Sequence, residues 1–214
     1  MIFIINKWKN ILALSPHTDD IELACGGTLS KLILLGCNIH TMIFSTCTES
    51  VPDGFPSNVL RTEVIEASTR LGIVKNNLHI FDYPVRNFYK YRQNILEELI
   101  CFSKTNEIDL VITPSKYDVH QDHIIISEEA IRAFKSKTIL AYEMPWNNLS
   151  FEARFFVKLS EDDVNKKLNA LAAYVSQQEK TYFSKDFIQS LLRVRGAQIK
   201  TIYAEAFDVV RIVF

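Results

Sequence analysis

The chain has 214 residues, of which 48% are hydrophobic and 23% are charged, a composition typical of a packed globular protein. This length predicts a single domain spanning residues 1–214. The 24 Lys and Arg residues nearly balance the 25 Asp and Glu residues, giving a net charge of -1, so no polycationic surface is available and a nucleic-acid partner is not expected.

The first residues of the chain indicate where the protein resides. The opening segment is apolar for only about five residues before Lys7, too short for the roughly 20 residues that span a bilayer, and it lacks the features of a secretory signal. Four cysteines show no CxxC pairing, which suits reduced, packed thiols. We therefore expect a cytoplasmic protein without a membrane span.

Short apolar runs alternate with longer segments of helical period through the first two thirds of the chain, a pattern that predicts βαβ units. The predicted strands are 11–14, 39–45, 78–81, 110–113 and 138–142, and the predicted helices between them are 27–35, 59–71, 92–103 and 124–134. Right-handed crossovers place helices on both faces of such a sheet. The prediction is an α/β fold with a Rossmann-like, mostly parallel sheet.

The pattern changes after Pro145. A strand is predicted at 151–159, helices at 164–174 and 187–194, and a final strand at 203–214. Because no Gly-, Pro- or Ser-rich linker separates this part, we interpret it as a C-terminal strand and helix elaboration of the same domain. The segment 46–57, with two prolines and a glycine, is predicted to be a mobile loop.

The first polar cluster follows the first predicted strand. His17, Asp19 and Asp20 lie between that strand and Gly26-Gly27, where the next helix is predicted to begin. In an open α/β sheet, ligands bind beyond the carboxyl ends of the strands. These three side chains are therefore candidates for a binding site.

The second cluster, Asp118-Val-His120-Gln-Asp122-His123, follows the fourth predicted strand and therefore belongs to the same sheet edge. A mixed imidazole and carboxylate set suits zinc, or less selectively iron or another divalent ion, and three protein ligands leave a position for water. Either cluster alone also fits a helix cap, provided by Thr18 or Asp122. Two clusters on one edge favour a metal site.

These motifs resemble the LmbE/PIG-L metal-dependent deacetylases. The resemblance is carried by Ser-Pro-His-Thr-Asp-Asp-Ile-Glu at 15–22 with the following Gly-Gly, and by His-Gln-Asp-His at 120–123. It extends over almost the whole chain, through segments 61–63, 71–72, 167–177, 195–196 and 203–207. Thr18 and Ile21 stand where family members often have Pro and Glu, and Glu22 follows one place later, so no role is carried over to Glu22.

Carried over by position, the resemblance implies that His17, Asp20 and His123 are the zinc ligands, with Fe2+ or another divalent metal as alternatives. It implies that Asp19 is the general base on the metal-bound water. Amide hydrolysis needs this division of labour because zinc lowers the pKa of water to about 7 and a nearby carboxylate takes its proton. The resemblance also makes His120 the stabiliser of the carbonyl oxyanion and Asp122 the group that orients an imidazole.

Two further residues are predicted to bind substrate. The resemblance suggests that Arg61 contacts a hydroxyl or anionic group, whereas a surface salt bridge with Glu63 or Glu66 is the alternative. Tyr142 follows the fifth predicted strand at the ligand edge, together with Glu143 and Trp146, so these side chains are predicted either to wall the pocket or to pack.

Three remaining features have simpler interpretations. His40 and His79 fall within predicted strands and are expected to be core or edge residues. Arg195-Gly196 is typical of a basic last helical turn that ends at a glycine.

The function implied is a zinc-dependent N-deacetylase acting on a small N-acetylated sugar, nucleotide sugar or glycoconjugate precursor. An N-acyl amino acid or carbamoyl hydrolase, and a non-catalytic Rossmann-like binding module, are the alternatives. No GxGxxG follows the first strand, which argues against dinucleotide binding. The acyl acceptor, the native metal and the oligomeric state are not fixed by the sequence.

Overall fold

A computed structural model describes residues 8–214. Residues 1–7 of the opening segment lie outside the described residues. Seven strands in the described part form one sheet. They are β1 (Asn10–Ser15), β2 (Asn38–Ile43), β3 (Leu78–Ile80), β4 (Leu110–Pro114), β5 (Thr138–Tyr142), β6 (Phe155–Leu159) and β7 (Tyr203–Arg211). The order is β3-β2-β1-β4-β5-β7-β6, with β1 to β5 paired in parallel. The predicted α/β fold with a mostly parallel sheet is confirmed.

The helices cover both faces of the sheet. They are α1 (Asp20–Leu34), α2 (Val59–Leu71), α3 (Arg92–Thr105), α4 (Gln121–Ala133), α5 (Glu161–Leu171) and α6 (Lys185–Gln198). Side chains alternate along β1: Ile11 and Ala13 pack with α1, α2, α5 and α6, while Leu12 and Leu14 pack with α3 and α4. Burial on both faces explains why β1 is a continuous apolar run. No helix among residues 8–214 is long and apolar enough to cross a membrane.

The C-terminal elaboration completes the sheet. The last strand, β7, lies between β5 and β6 and is antiparallel to both. The interpretation of Gly196 as a helix stop is wrong, because α6 continues to Gln198. A Cβ atom at Gly196 would lie 2.6 Å from the carbonyl oxygen of Ile202. Glycine is therefore required here by the close approach of the segment that leads into β7.

Helix α1 begins earlier than the sequence predicts. Asp20 is its first residue, and Gly26-Gly27, predicted at the helix start, lies inside it. The glycines follow a break at Cys25, whose φ of -138° and ψ of 18° are not helical. The amides freed at the break donate to the Glu205 carboxylate, from Gly27 at 3.1 Å and from Thr28 at 2.6 Å. The glycine pair therefore marks the start of the second helical segment within α1, and not the start of α1 itself.

All four cysteines are free thiols, and Cys25 and Cys47 are buried. Burial raises the pKa of the Cys25 thiol well above its ordinary value, so this thiol is kept neutral in the hydrophobic core.

Candidate metal centre

The two polar clusters meet at the carboxyl edge of the sheet because the strands that precede them are neighbours. Strands β1 and β4 pair in parallel, so the turn after β1, which carries His17 and Asp19, faces the loop that follows β4. That loop leads to His120, the N-cap of α4, and the first turn of α4 carries Asp122 and His123. Each cluster therefore lies between the end of a buried strand and the first turn of the helix that follows it, and these two elements fix its position.

Three ligand-type atoms lie at nearly equal separations. His17 Nδ1 is 3.2 Å from His123 Nε2 and 3.3 Å from Asp20 Oδ2. The third side, from His123 Nε2 to Asp20 Oδ2, is 3.4 Å. Tetrahedral zinc with bonds of about 2.0 to 2.2 Å separates its ligand atoms by about 3.3 to 3.6 Å. The three atoms therefore match the spacing of three ligand atoms around one zinc ion.

A third imidazole lies near this triangle. His17, His120 and His123 bring one nitrogen each within 4.8 Å of one another, a looser set than the one that contains Asp20. His120 Nδ1 accepts a hydrogen bond from the amide of Asp122 at 3.2 Å. Burial, together with His17 and His123, lowers the pKa of His120 to about 4. The neutral ring therefore carries its hydrogen on Nε2, which suits a donor better than a metal ligand.

Carboxylates contact the outer nitrogens of both imidazoles in the triangle. Asp118 Oδ2 lies 2.7 Å from His123 Nδ1, and Asp122 Oδ2 lies 3.2 Å from His17 Nε2. Such partners fix the tautomer and turn the free lone pair toward a metal. Sequence reasoning named Asp122 as an orienting group but gave Asp118 no role, although Asp118 lies five residues before His123.

The carboxylates of Asp20 and Asp118 make the site favourable for positive charge. Burial opposes protonation of His123, but Asp20 and Asp118 raise the pKa of His123 to about 10. Burial also opposes ionisation of Asp20, yet His123 and His17 hold the pKa of Asp20 well below its usual range. Metal binding to imidazole and carboxylate displaces protons of this kind. The donor set and its charge therefore fit a divalent cation.

Asp19 stands beside the triangle. It lines a cavity of about 380 Å3 together with His17, Asp20, His120 and His123. Burial and the neighbouring Asp20 raise the pKa of Asp19, while Lys180, whose Nζ is 4.0 Å from Asp19 Oδ2, lowers it. This carboxylate is free of the ligand triangle and is placed to exchange a proton with a molecule in the cavity.

The outer wall of the cavity contains groups that sequence reasoning largely did not identify. Trp146 and Tyr182 stack with ring centroids 4.2 Å apart and an interplanar angle of 8°, and both line the cavity with Arg86 and Lys180. Of these four, only Trp146 was singled out as a possible wall. The others come from loops that contain no motif, so no local signal identifies them.

The prediction that Tyr142 binds substrate is wrong. Its side chain is 1% exposed, and its hydroxyl donates to the carbonyl of Leu14 at 3.1 Å. Tyr142 ends β5 and packs in the core cluster that contains residues of α1, α2, α5 and α6, and it is therefore covered. Glu143 does not line the cavity at the metal site; it forms a bidentate pair with Arg195 at 2.6 and 2.7 Å.

Arg61 lies on a neighbouring cavity of about 410 Å3 rather than among the metal-site residues. Its guanidinium is 3.4 Å from Asp82 Oδ2, with the side chain 46% exposed, so neither Glu63 nor Glu66 is its partner. Glu63 is instead buried and accepts hydrogen bonds from Ser176. Contact between Arg61 and a substrate stays a prediction.

The fold and the clustered side chains define an α/β protein with an imidazole and carboxylate site at the carboxyl edge of a parallel sheet. Residues 12–134 match the family described as PIG-L: GlcNAc-PI de-N-acetylase, a match that covers more than half of the chain. The chain belongs to this PIG-L (LmbE-like) family.

Similar proteins agree with this assignment. The uncharacterized deacetylase YaiS of Escherichia coli (strain K12) is 30% identical over 176 residues, which cover 80% of this chain and 93% of YaiS. The N,N'-diacetylchitobiose deacetylase of Pyrococcus horikoshii superposes with a TM-score of 0.81 at 20% identity, covering 96% of this chain and 85% of that one. GalB of Pseudomonas putida KT2440, a 4-carboxy-2-hydroxymuconate hydratase, superposes with a TM-score of 0.79 at 19% identity, covering 96% of this chain and 98% of GalB. The two structural similarities show a shared fold.

Proposed function

We propose that this protein is a zinc-dependent de-N-acetylase that hydrolyses the acetamide of a small N-acetylated sugar-like substrate. The observation that carries the proposal is the triangle of His17 Nδ1, Asp20 Oδ2 and His123 Nε2 beside the free carboxylate of Asp19. A metal ligand set with an adjacent general base is what amide hydrolysis near neutral pH requires.

Two residues of the cavity have separate roles in the reaction, one as a general base and the other as a hydrogen-bond donor. His17, Asp20 and His123 would hold the zinc ion, which would act as a Lewis acid and lower the pKa of a bound water to about 7. Asp19 takes the proton of the attacking water and returns it to the leaving amine. His120, neutral and with its hydrogen on Nε2, donates to the carbonyl oxygen as negative charge develops there, a type of contact worth about 3 to 4 kcal/mol in acyl transfer.

The cavity wall supports a sugar as the acyl acceptor. The flat stacked surface of Trp146 and Tyr182 fits the apolar face of a pyranose ring, and Asn147 and Gln177 add amide groups to the same cavity. Its volume of about 380 Å3 lies in the range of small-molecule sites. The P. horikoshii relative, named for an acetylated disaccharide, supports the same substrate class.

The alternatives differ in their predicted chemistry. An N-acyl amino acid or carbamoyl hydrolase would use the same ligands but would not need an aromatic platform. A non-catalytic binding module would not need Asp19 next to the ligand triangle. The hydratase GalB shows that the fold alone does not specify deacetylation, so the reaction has to be measured.

The test is a screen of zinc-loaded protein with free and nucleotide-linked N-acetylated sugars, an N-acetyl amino acid and an N-carbamoyl compound. The new primary amine is quantified for every substrate, and acetate is quantified for the N-acetyl substrates, for which the two products should appear in equal amounts. We expect release from at least one sugar and none from the Asp19→Asn variant. Turnover confined to the amino acid or carbamoyl compound would reject the sugar assignment, and no turnover of any amide would reject the hydrolase.

A further inference from the structure

Arg86 occupies a backbone conformation that favours glycine. Its φ is 64°, in the left-handed region where a Cβ atom is disfavoured. Two hydrogen bonds hold it there: its amide donates to Asp122 Oδ2 at 2.6 Å, and its carbonyl accepts from the Gln121 side chain at 2.9 Å. Since Asp122 also contacts His17, the backbone of Arg86 is fixed to the metal-site residues.

The side chain of Arg86 lines the cavity without a carboxylate partner. Its guanidinium contacts the Ser50 hydroxyl at 3.4 Å, and within residues 8–214 no carboxylate lies within ion-pair distance of it. Arg61 on the neighbouring cavity, by contrast, pairs with Asp82, and Arg195 pairs with Glu143. Arg86 is therefore an open guanidinium on the surface of the site.

A second cation lies on the same cavity. Lys180 lines it and approaches Asp19 to 4.0 Å. Asp118 and Asp122 are not on the cavity surface, because they are directed to the imidazoles and to backbone amides. The carboxylates on the cavity surface are those of Asp19 and Asp20, which belong to the metal site. Lys180 is paired with Asp19, so Arg86 is the cation of the cavity that a ligand can reach without displacing a carboxylate.

We propose that Arg86 binds an anionic substituent, a phosphate or a carboxylate, carried by the N-acetylated sugar, with Lys180 as the second cation on the same cavity. This inference rests on the proposed function and narrows its substrate class. A guanidinium presents a planar fork of donors that matches both anions in a bidentate manner. The Arg86 backbone, anchored at both its amide and its carbonyl, positions that fork.

The left-handed conformation provides a precise variant. Arg86→Gly removes the guanidinium while keeping the backbone hydrogen bonds in a conformation that glycine adopts readily. Arg86→Lys keeps the charge but loses the fork. Lys75→Ala is the matched control for loss of one positive charge, because Lys75 is exposed and precedes β3 at the opposite edge of the sheet.

The experiment measures kcat/KM for acetate release by the zinc-loaded full chain. The substrates are N-acetylglucosamine, its 1-phosphate and 6-phosphate, and N-acetylmuramic acid, so that the arms distinguish phosphate from carboxylate. We expect kcat/KM for at least one anionic sugar to be about tenfold higher than kcat/KM for the neutral sugar. Arg86→Gly should lower this ratio of the two kcat/KM values by about tenfold, mainly by raising KM for the anionic sugar. Arg86→Lys should recover part of the ratio, and Lys75→Ala should keep all of it.

Different outcomes would reject the role of Arg86 and the proposed deacetylase function. Turnover of the neutral sugar without any anionic preference, or an Arg86→Gly variant with an unchanged ratio, overturns the role of Arg86 alone. No acetate from any sugar rejects the proposed function and this inference with it.

Discussion

Lys167 and Glu205 form a buried ion pair, with Nζ 2.6 Å from Oε1, across the break in α1. Lys167 also donates to the carbonyl of Leu23 at 2.7 Å, before the break, while Glu205 accepts the two amides after it. One charged side chain thus satisfies the end of the first helical segment and the other satisfies the start of the second. The pair ties α5 and β7 to the helix that begins at Asp20.

Removing one partner of this pair should destabilise the fold strongly. Lys167→Met or Glu205→Leu leaves an uncompensated buried charge, which costs about 3 to 5 kcal/mol. The double variant should lose less than the sum of the two single losses, because no lone charge remains. Urea unfolding of the four proteins checks this. Single variants within about 1 kcal/mol of the wild type would contradict it.

Much of the fold follows from local pattern. The buried strands and most helices are predictable because apolar period is a local property, as in α2, where the predicted range 59–71 equals the observed Val59–Leu71. The meeting of the clusters that contain His17 and His123 is predictable because both follow strands of one parallel sheet.

What could not be predicted depends on distant residues. The break in α1 is stabilised by Glu205, which lies 178 residues from Gly27. The glycine pair alone therefore does not predict that the helix is interrupted here. Arg86, Lys180 and Tyr182 reach the cavity from loops whose course is set by tertiary packing. The burial of Tyr142 depends on the helices that form the core cluster on its face of the sheet.

Asp19→Asn should preserve the fold and metal content while removing most turnover. The amide has the shape of the carboxylate but cannot accept a proton from water, so we expect a loss of roughly 100-fold or more in kcat. Zinc content and melting temperature are measured on the same preparation. A metal-replete variant with a near-normal rate would reject Asp19 as the base.

His120→Ala should lower kcat and kcat/KM together while zinc content stays near that of the wild type. An interaction made mainly in the transition state has this signature, and the tighter ligand triangle does not include His120. The loss of the N-cap bond to the Asp122 amide adds a cost of about 1 kcal/mol in stability. Loss of zinc as the main effect would make His120 a ligand, and a stability loss with ordinary turnover would leave it only a capping role.

His40 and His79 should make the fold less stable in mild acid. Their rings stack at 5.8 Å on β2 and β3, and burial lowers the pKa of each below the ordinary 6.5. Between the lowered folded-state pKa and 6.5 the unfolded chain therefore binds more protons. The contribution of these neutral histidines to stability is complete above pH 6.5 and is lost as the pH falls through the folded-state pKa. His79→Gln should lose less stability between pH 7 and pH 5 than the wild type in urea unfolding. Equal losses would contradict the assignment.

Metal reconstitution tests whether the proposed deacetylase depends on zinc bound by His17, Asp20 and His123. Protein stripped with a chelator is titrated with zinc while acetate release from an N-acetylated sugar and bound zinc are both followed, with His123→Ala treated in parallel. We expect no turnover without metal, full recovery at about one zinc per chain, and neither stoichiometric zinc nor turnover in His123→Ala. Full acetate release by metal-free protein would contradict the claim.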